Sequence, residues 1–157
     1  MLSAWRITKQ KHSGSAFTGD GARLYGGRWN TAGTAIVYTA QSQALAALEM
    51  LIHLESPEIL QRYVLMEASF EESFVADLDR TSLPKNWRAD PPPAEVQALG
   101  DAWAAGKASA VLRVPSVIVP GESNFLLNPR HPDFRKVRIG KPVAFEFDRR
   151  LTAGRTA

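Results

Sequence analysis

There is no cysteine among the 157 residues of this chain, so a disulfide framework, a thiolate metal site and a cysteine nucleophile are all excluded. Histidine is nearly as scarce: His12, His53 and His131 stand far apart, and no H-x-x-x-H or H-E-x-x-H spacing puts two on one helix face. No catalytic metal is expected. An uninterrupted apolar run long enough to cross a bilayer is also missing, and the N-terminus, with Arg6, Lys9 and Lys11, lacks the apolar core of a secretory signal. These absences predict a soluble, cytoplasmic protein with no membrane contact.

Charge is sparse in places as well. The formal net charge is only +3, but residues 1–30 carry five basic groups (Arg6, Lys9, Lys11, Arg23, Arg28) against Asp20, and residues 130–157 carry eight against three acids. The middle, 31–129, holds six basic groups and twelve acids. Two basic ends that met in space would suit an anionic ligand such as a dinucleotide, a nucleic acid or an acidic protein. Two separately solvated ends are the plain alternative. Between Arg28 and Glu55 one residue alone carries a formal charge, Glu49.

What is present is 45% hydrophobic residues, enough for one packed core and too little chain for two ordinary domains. Ala4–Thr8 reads as a first strand, and Lys9–Asn30, with five glycines, as a long structured loop, a feature that in a compact domain usually carries function. Its aromatic residues Phe17, Tyr25 and Trp29 argue for order. Ala35–Thr39 reads as a strand, with Ser42 as the N-cap of a helix over Gln43–Leu54 whose buried stripe is Leu45, Leu48 and Ile52. Arg62–Phe70 and Phe74–Leu78 follow as strands, and the Pro91-Pro92-Pro93 run opens a helix over Ala94–Ala105. Ala110–Val114, Ser116–Val119, Phe134–Ile139 and Val143–Phe147 are short Val-, Ile- and Phe-rich strand candidates. Strands outnumber helices without regular alternation, which predicts an α+β fold around a mostly antiparallel sheet. Residues 1–150 are expected to form the domain and 151–157 a loose tail.

Glu49 sits at the edge of the helix stripe, where a carboxylate must find a partner, face a polar cleft or take up a proton; a partly solvated surface acid is the plainer reading. Arg28, between Gly26-Gly27 and Trp29-Asn30, is a forked cation on a backbone that a ligand can approach closely, or else an arginine tying the loop to an acid. Tyr38 offers a flat face and a hydroxyl near a strand end. Ser116 is a lone hydroxyl in an apolar run without the G-x-S-x-G setting of a hydrolase nucleophile. Asn124 and Asn128 bracket Phe125-Leu126-Leu127, and Asn128 before Pro129 is a natural turn residue.

In order, Gly-Gly-Arg-Trp-Asn, Val-Tyr-Thr-Ala, Leu-Ala-Ala-Leu-Glu, Val-Pro-Ser and Asn-Phe-Leu-Leu-Asn-Pro-x-His-Pro resemble the RES domain, named for its Arg, Glu and Ser and found in toxins of RES–Xre toxin–antitoxin pairs. The likeness runs from Trp5-Arg6 to the Phe145–Phe147 strand. It implies an ADP-ribosyltransferase-like fold and an enzyme that degrades NAD as its substrate, with no further cofactor, by glycohydrolase or phosphorylase chemistry at the nicotinamide–ribose bond; some members of the family instead transfer ADP-ribose to a protein. Carried over by motif, the catalytic set is Arg28, Tyr38, Glu49 and Ser116, with Arg6 and Asn124 joining Arg28 and Tyr38 in holding NAD. The implied partner is an Xre-like antitoxin that covers the active site, and a homodimer within a larger complex is compatible with it. A reading of a different class, a non-catalytic nucleic-acid-binding or interaction domain, rests on the basic ends; those ends lack the dense cluster with interleaved aromatics that direct nucleic-acid binding uses.

Overall fold

The computed structural model describes residues 1–54 and 61–151. Its centre is the antiparallel pair of β1 (Leu2–Lys9) and β3 (Tyr63–Phe70), in register from Leu2 opposite Phe70 to Lys9 opposite Tyr63. On the other side of β1 lie β2 (Val37–Ala40), β6 (Ser123–Leu127), β5 (Val111–Pro115) and finally β4 (Val75–Asp77). The outer edge of β3 is shared by β7 (Arg138–Ile139) and β8 (Val143–Phe145). Every pairing is antiparallel except β4 with β5. The fold is thus α+β with a mostly antiparallel sheet, and the short terminal strands blunt its edges.

Strand alternation places successive side chains on opposite faces. On β6, Phe125 and Leu127 join Ala4, Val37, Phe70 and Val111 on one face, while Leu126 joins Trp29, Ile36, Val96 and Val114 on the other. Asn124 follows the parity of Leu126, so a polar side chain stands on a row otherwise used for packing. Helix α2 (Gln43–Leu51) packs through Leu45, Ala46 and Leu51 onto Ile7, Ala40 and Leu65. Its start is fixed by Ser42, whose Oγ accepts from the Leu45 N–H at 3.1 Å. Helix α3 (Ala94–Gly106) covers the Leu126 face, packing Val96 and Ala104 with Trp29 and Ile36. It lies so close that a Cβ on Gly100 would stand 1.7 Å from the Trp29 carbonyl oxygen.

Four local expectations need correction. The stretch 9–30 is not one loop: it contains a 3₁₀ segment, Gln10–Ser15, and helix α1 (Asp20–Tyr25), which Gly26 ends at φ 74°. Leu48 and Ile52 are 41% and 51% exposed: the buried arc runs through Leu45 and Ala46, which turns Leu48 outward, and Ile52 lies past the end of α2 at Leu51. At 3.6 residues per turn Glu49 falls between Leu45 and Ala46, on the sheet side. Ser116–Val119 is a turn and not a strand; Ser116 N–H bonds to the Glu122 carbonyl and Glu122 N–H to Val119, and the chain returns as β6. Phe134 lies in a 3₁₀ segment, Pro132–Lys136, leaving only Arg138–Ile139 as strand. Of the expected tail, 152–157 lies outside the described residues.

Candidate functional site

A cleft of about 890 Å³ opens between α1 and the Gly26–Asn30 loop on one side and α2 on the other, floored by β1 and β2. Arg6, Arg28, Tyr38, Glu49 and Asn124 all line it. Ser116 does not: it is fully buried behind the wall. The sheet explains the convergence, since β1 and β6 flank β2 and the register sets Asn124 opposite Ala40 and Leu126 opposite Tyr38. None of the basic residues from 130 onward among those described lines this cleft, so the two basic ends do not combine there.

Glu49 is held at both oxygens. Ser116 Oγ donates to Oε1 and Asn124 Nδ2 to Oε2, each at 2.9 Å. Both donors are themselves anchored to backbone: Asn124 Nδ2 also donates to the Thr39 carbonyl at 3.1 Å, and Ser116 Oγ accepts from the Ile118 and Val119 N–H groups at 3.2 Å. The carboxylate makes no ion pair among the described residues. Burial pushes its pKa above the usual carboxylate value, the hydrogen bonds from Asn124 and Ser116 pull it back, and the charge of Glu122 adds to the rise. The hydrogen bond of Ser116 is therefore spent on orienting Glu49, not on a ligand in the cleft.

Tyr38 is committed differently. Its hydroxyl donates to Asn30 Oδ1 and accepts the Trp29 N–H at 3.0 Å, and burial raises its pKa well above normal. Asn30 in turn gives its amide to the carbonyls of Ala22, Thr31 and Thr34 at 2.9–3.0 Å. Tyr38 thus supports the loop that presents Arg28, and only its ring remains for the cleft. Gly27 must be glycine for the same reason, as a Cβ there would lie 2.7 Å from the Tyr38 hydroxyl.

Arg28 is half-buried and does not reach Glu49 or tie its loop to an acid. Its Nη1 donates to the Trp87 and Ala89 carbonyls at 3.2 and 2.8 Å. Partial burial lowers its pKa, with Asp90 opposing; a guanidinium stays charged regardless. Arg6 lies deeper. Its Nη1 donates to the Tyr38 carbonyl at 2.9 Å, while its buried Nε has no partner. Burial alone accounts for its lowered pKa, with no neighbouring carboxylate to offset it. A cleft with two cations of this kind and one fixed carboxylate is suited to a ligand that carries both negative charge and a centre that becomes positive.

Sequence reasoning did not find the supports. Gln97, on α3, donates to the Gly27 and Asn30 carbonyls at 3.0 and 3.2 Å, and Arg88 Nε donates to the Val117 carbonyl at 3.0 Å, fastening the segment around Trp87–Ala89 across the cleft. Backbone carbonyls leave no mark in a side-chain pattern. No group of three or more His, Asp or Glu side chains among the described residues is placed to hold a metal ion, and no helix among them is long and apolar enough to cross a membrane.

Comparison with known proteins gives a consistent result. The RES domain family matches residues 3–148. A protein of Yersinia enterocolitica called Toxin Res is 41% identical over 151 residues, covering 96% of this chain and 99% of its own. A Sphingobium protein called Prs ADP-ribosylating toxin is 40% identical over 155 residues, covering 95% and 96%. Among solved structures, a chain of the M. tuberculosis MbcT-MbcA toxin-antitoxin complex superposes with a TM-score of 0.75 at 18% identity, covering 92% of this chain and 84% of its own. That likeness concerns the fold.

Proposed function

Because the chain belongs to the RES domain family, we propose that it is the toxin of a toxin–antitoxin pair and that it degrades NAD at the nicotinamide–ribose bond, acting in the cytoplasm. The observation that carries this reading is Glu49, a carboxylate fixed at both oxygens in a cleft where Arg6 and Arg28 make no ion pair among the described residues.

Breaking that bond expels nicotinamide as a neutral base and leaves positive charge on the ribose, so the transition state resembles an oxocarbenium ion. A carboxylate already oriented and short of counter-ions stabilises that charge without reorganising at the moment of reaction. Arg28 and Arg6 face the opposite need, an anion, and the pyrophosphate of NAD supplies it. Tyr38 keeps the Arg28 loop in place, Asn124 and Ser116 hold Glu49, and the cleft volume is within the usual range for an organic ligand. No proton need be given to the leaving group. Water as acceptor yields nicotinamide, ADP-ribose and a proton; phosphate yields nicotinamide and the ribosyl phosphate.

Incubating purified protein with NAD, with and without phosphate, and measuring nicotinamide is the direct test. Release that vanishes in Glu49→Gln supports the reading, and no release from antitoxin-free protein overturns it. The name of the Sphingobium relative favours a second reading, transfer of ADP-ribose to a protein. Label from adenine-labelled NAD appearing on a protein band selects it. The partner we propose is an Xre-like antitoxin covering the cleft, in keeping with the toxin–antitoxin complex that supplies the structural neighbour.

A further inference from the structure

Most aromatic residues around the cleft are used by the fold. Trp29 is 2% exposed and packs against Trp87 at 6.5 Å between ring centroids, and the Tyr38 hydroxyl is bonded twice. Tyr25 is the exception. It lines the cleft yet is 86% exposed, and neither its ring nor its hydroxyl bonds to a described residue.

Its mount, by contrast, is rigid. Tyr25 is the last residue of α1, and the Gly26 N–H that follows closes on the Ala22 carbonyl at 2.8 Å. The preceding backbone is pinned by the Gly33 N–H on the Arg23 carbonyl at 2.7 Å and by Asn30 on Ala22. A large flat side chain therefore stands exposed at the cleft rim on a hydrogen-bonded backbone. Three residues later the same loop presents Arg28. An aromatic face beside a phosphate-binding cation is the pairing that recognises a purine nucleotide, because base stacking on a tyrosine needs no hydrogen-bond readout.

We propose that Tyr25 is the platform on which the adenine of the dinucleotide stacks, making it a substrate-binding residue that selects an adenosine-bearing substrate over the bare nicotinamide mononucleotide. This rests on the NAD reading above and adds the distal end of the substrate to it. Glu49 would hold the reacting end, and Arg28 and Arg6 the phosphates between.

The test measures binding apart from turnover, by calorimetry with ADP-ribose and with ribose 5-phosphate as the base-free probe. Tyr25→Ala is expected to weaken ADP-ribose about tenfold and leave ribose 5-phosphate unchanged, with Tyr25→Trp restoring affinity. Leu24→Ala, which removes a neighbouring exposed apolar side chain that does not line the cleft, is expected to leave both unchanged. Unaltered ADP-ribose affinity in Tyr25→Ala, or equal loss in Leu24→Ala, overturns the proposal. If ADP-ribose binding depends on Tyr25 while the wild type releases no nicotinamide, the platform stands and the cleavage reading falls. A wild type that binds no ADP-ribose yet releases nicotinamide overturns the platform and leaves the cleavage reading standing.

Discussion

On the α2 side of the cleft, each oxygen of Glu49 accepts one side-chain hydrogen bond from a donor that is itself tied to backbone, whereas on the α1 side Arg28 donates only to the carbonyls of Trp87 and Ala89. The acid is fixed by neighbours that leave its charge uncompensated; the cation is fixed by a loop that leaves most of its fork open. Neither wall neutralises the other, so the field across the cleft is preserved for a ligand polarised in the same sense. The acid wall is expected to govern the chemical step and the cation wall to govern binding. Substitutions on either wall can break that division.

The largest effect belongs to Glu49→Gln, expected to lower kcat for nicotinamide release by about 10²–10³. The same change should also remove a pH dependence of stability. Because the folded-state pKa of Glu49 is raised, its protonated form contributes stability that is present below the unfolded carboxylate value and lost as pH rises through the folded one. Thermal melts of the wild type should therefore gain temperature as pH falls through this window, and Glu49→Gln should lack that gain. A variant that keeps the gain would mean that another group titrates there.

Next comes Gly100→Ala, which strikes the cation wall through its support. The added methyl would overlap the Trp29 carbonyl at 1.7 Å, and α3 must shift. Overpacking of this kind costs about 3 kcal/mol, equivalent to roughly 6–12 °C in Tm. Arg28→Lys is milder: losing the fork should raise KM for NAD about tenfold, with kcat nearly unchanged. If kcat falls instead, the assignment of the two walls is wrong.

Much of this asymmetry is open to sequence reading. Glu49 is marked directly, as the lone formal charge between Arg28 and Glu55, and the Gly26-Gly27-Arg28 order marks a cation on an approachable backbone. The alternating Arg62–Phe70 run locates β3, and the Ser42 cap locates the start of α2. Residues 116–127 are harder to read: Val117-Ile118-Val119 has strand composition, but Pro115 and Pro120 bracket it and the backbone folds back through Glu122. The sequence shows the hydroxyl of Ser116 and the amide of Asn124, while their meeting on Glu49 depends on the β5–β6 and β2–β6 registers. Leu48 falls outside the buried arc, which runs through Leu45 and the small Ala46, and Ile52 lies beyond the end of α2 at Leu51. The Trp87 and Ala89 carbonyls that hold Arg28 carry no residue signature at all.

The smallest effect expected, and the sharpest for the division of labour, is that of Ser116→Ala. Removing the hydroxyl takes one hydrogen bond from Glu49 and one acceptor from the Ile118 and Val119 N–H groups, a loss of about 1–2 kcal/mol in stability. Since that bond lowers the pKa of Glu49 against burial, its loss should move the acid limb of the kcat profile to higher pH, with kcat on the plateau reduced about fivefold because Asn124 still holds Oε2. A serine that instead touched the substrate would raise KM and leave the limb where it was. The pH profile of this one variant therefore separates orientation of the carboxylate from contact with NAD, a distinction that loss of activity alone does not make.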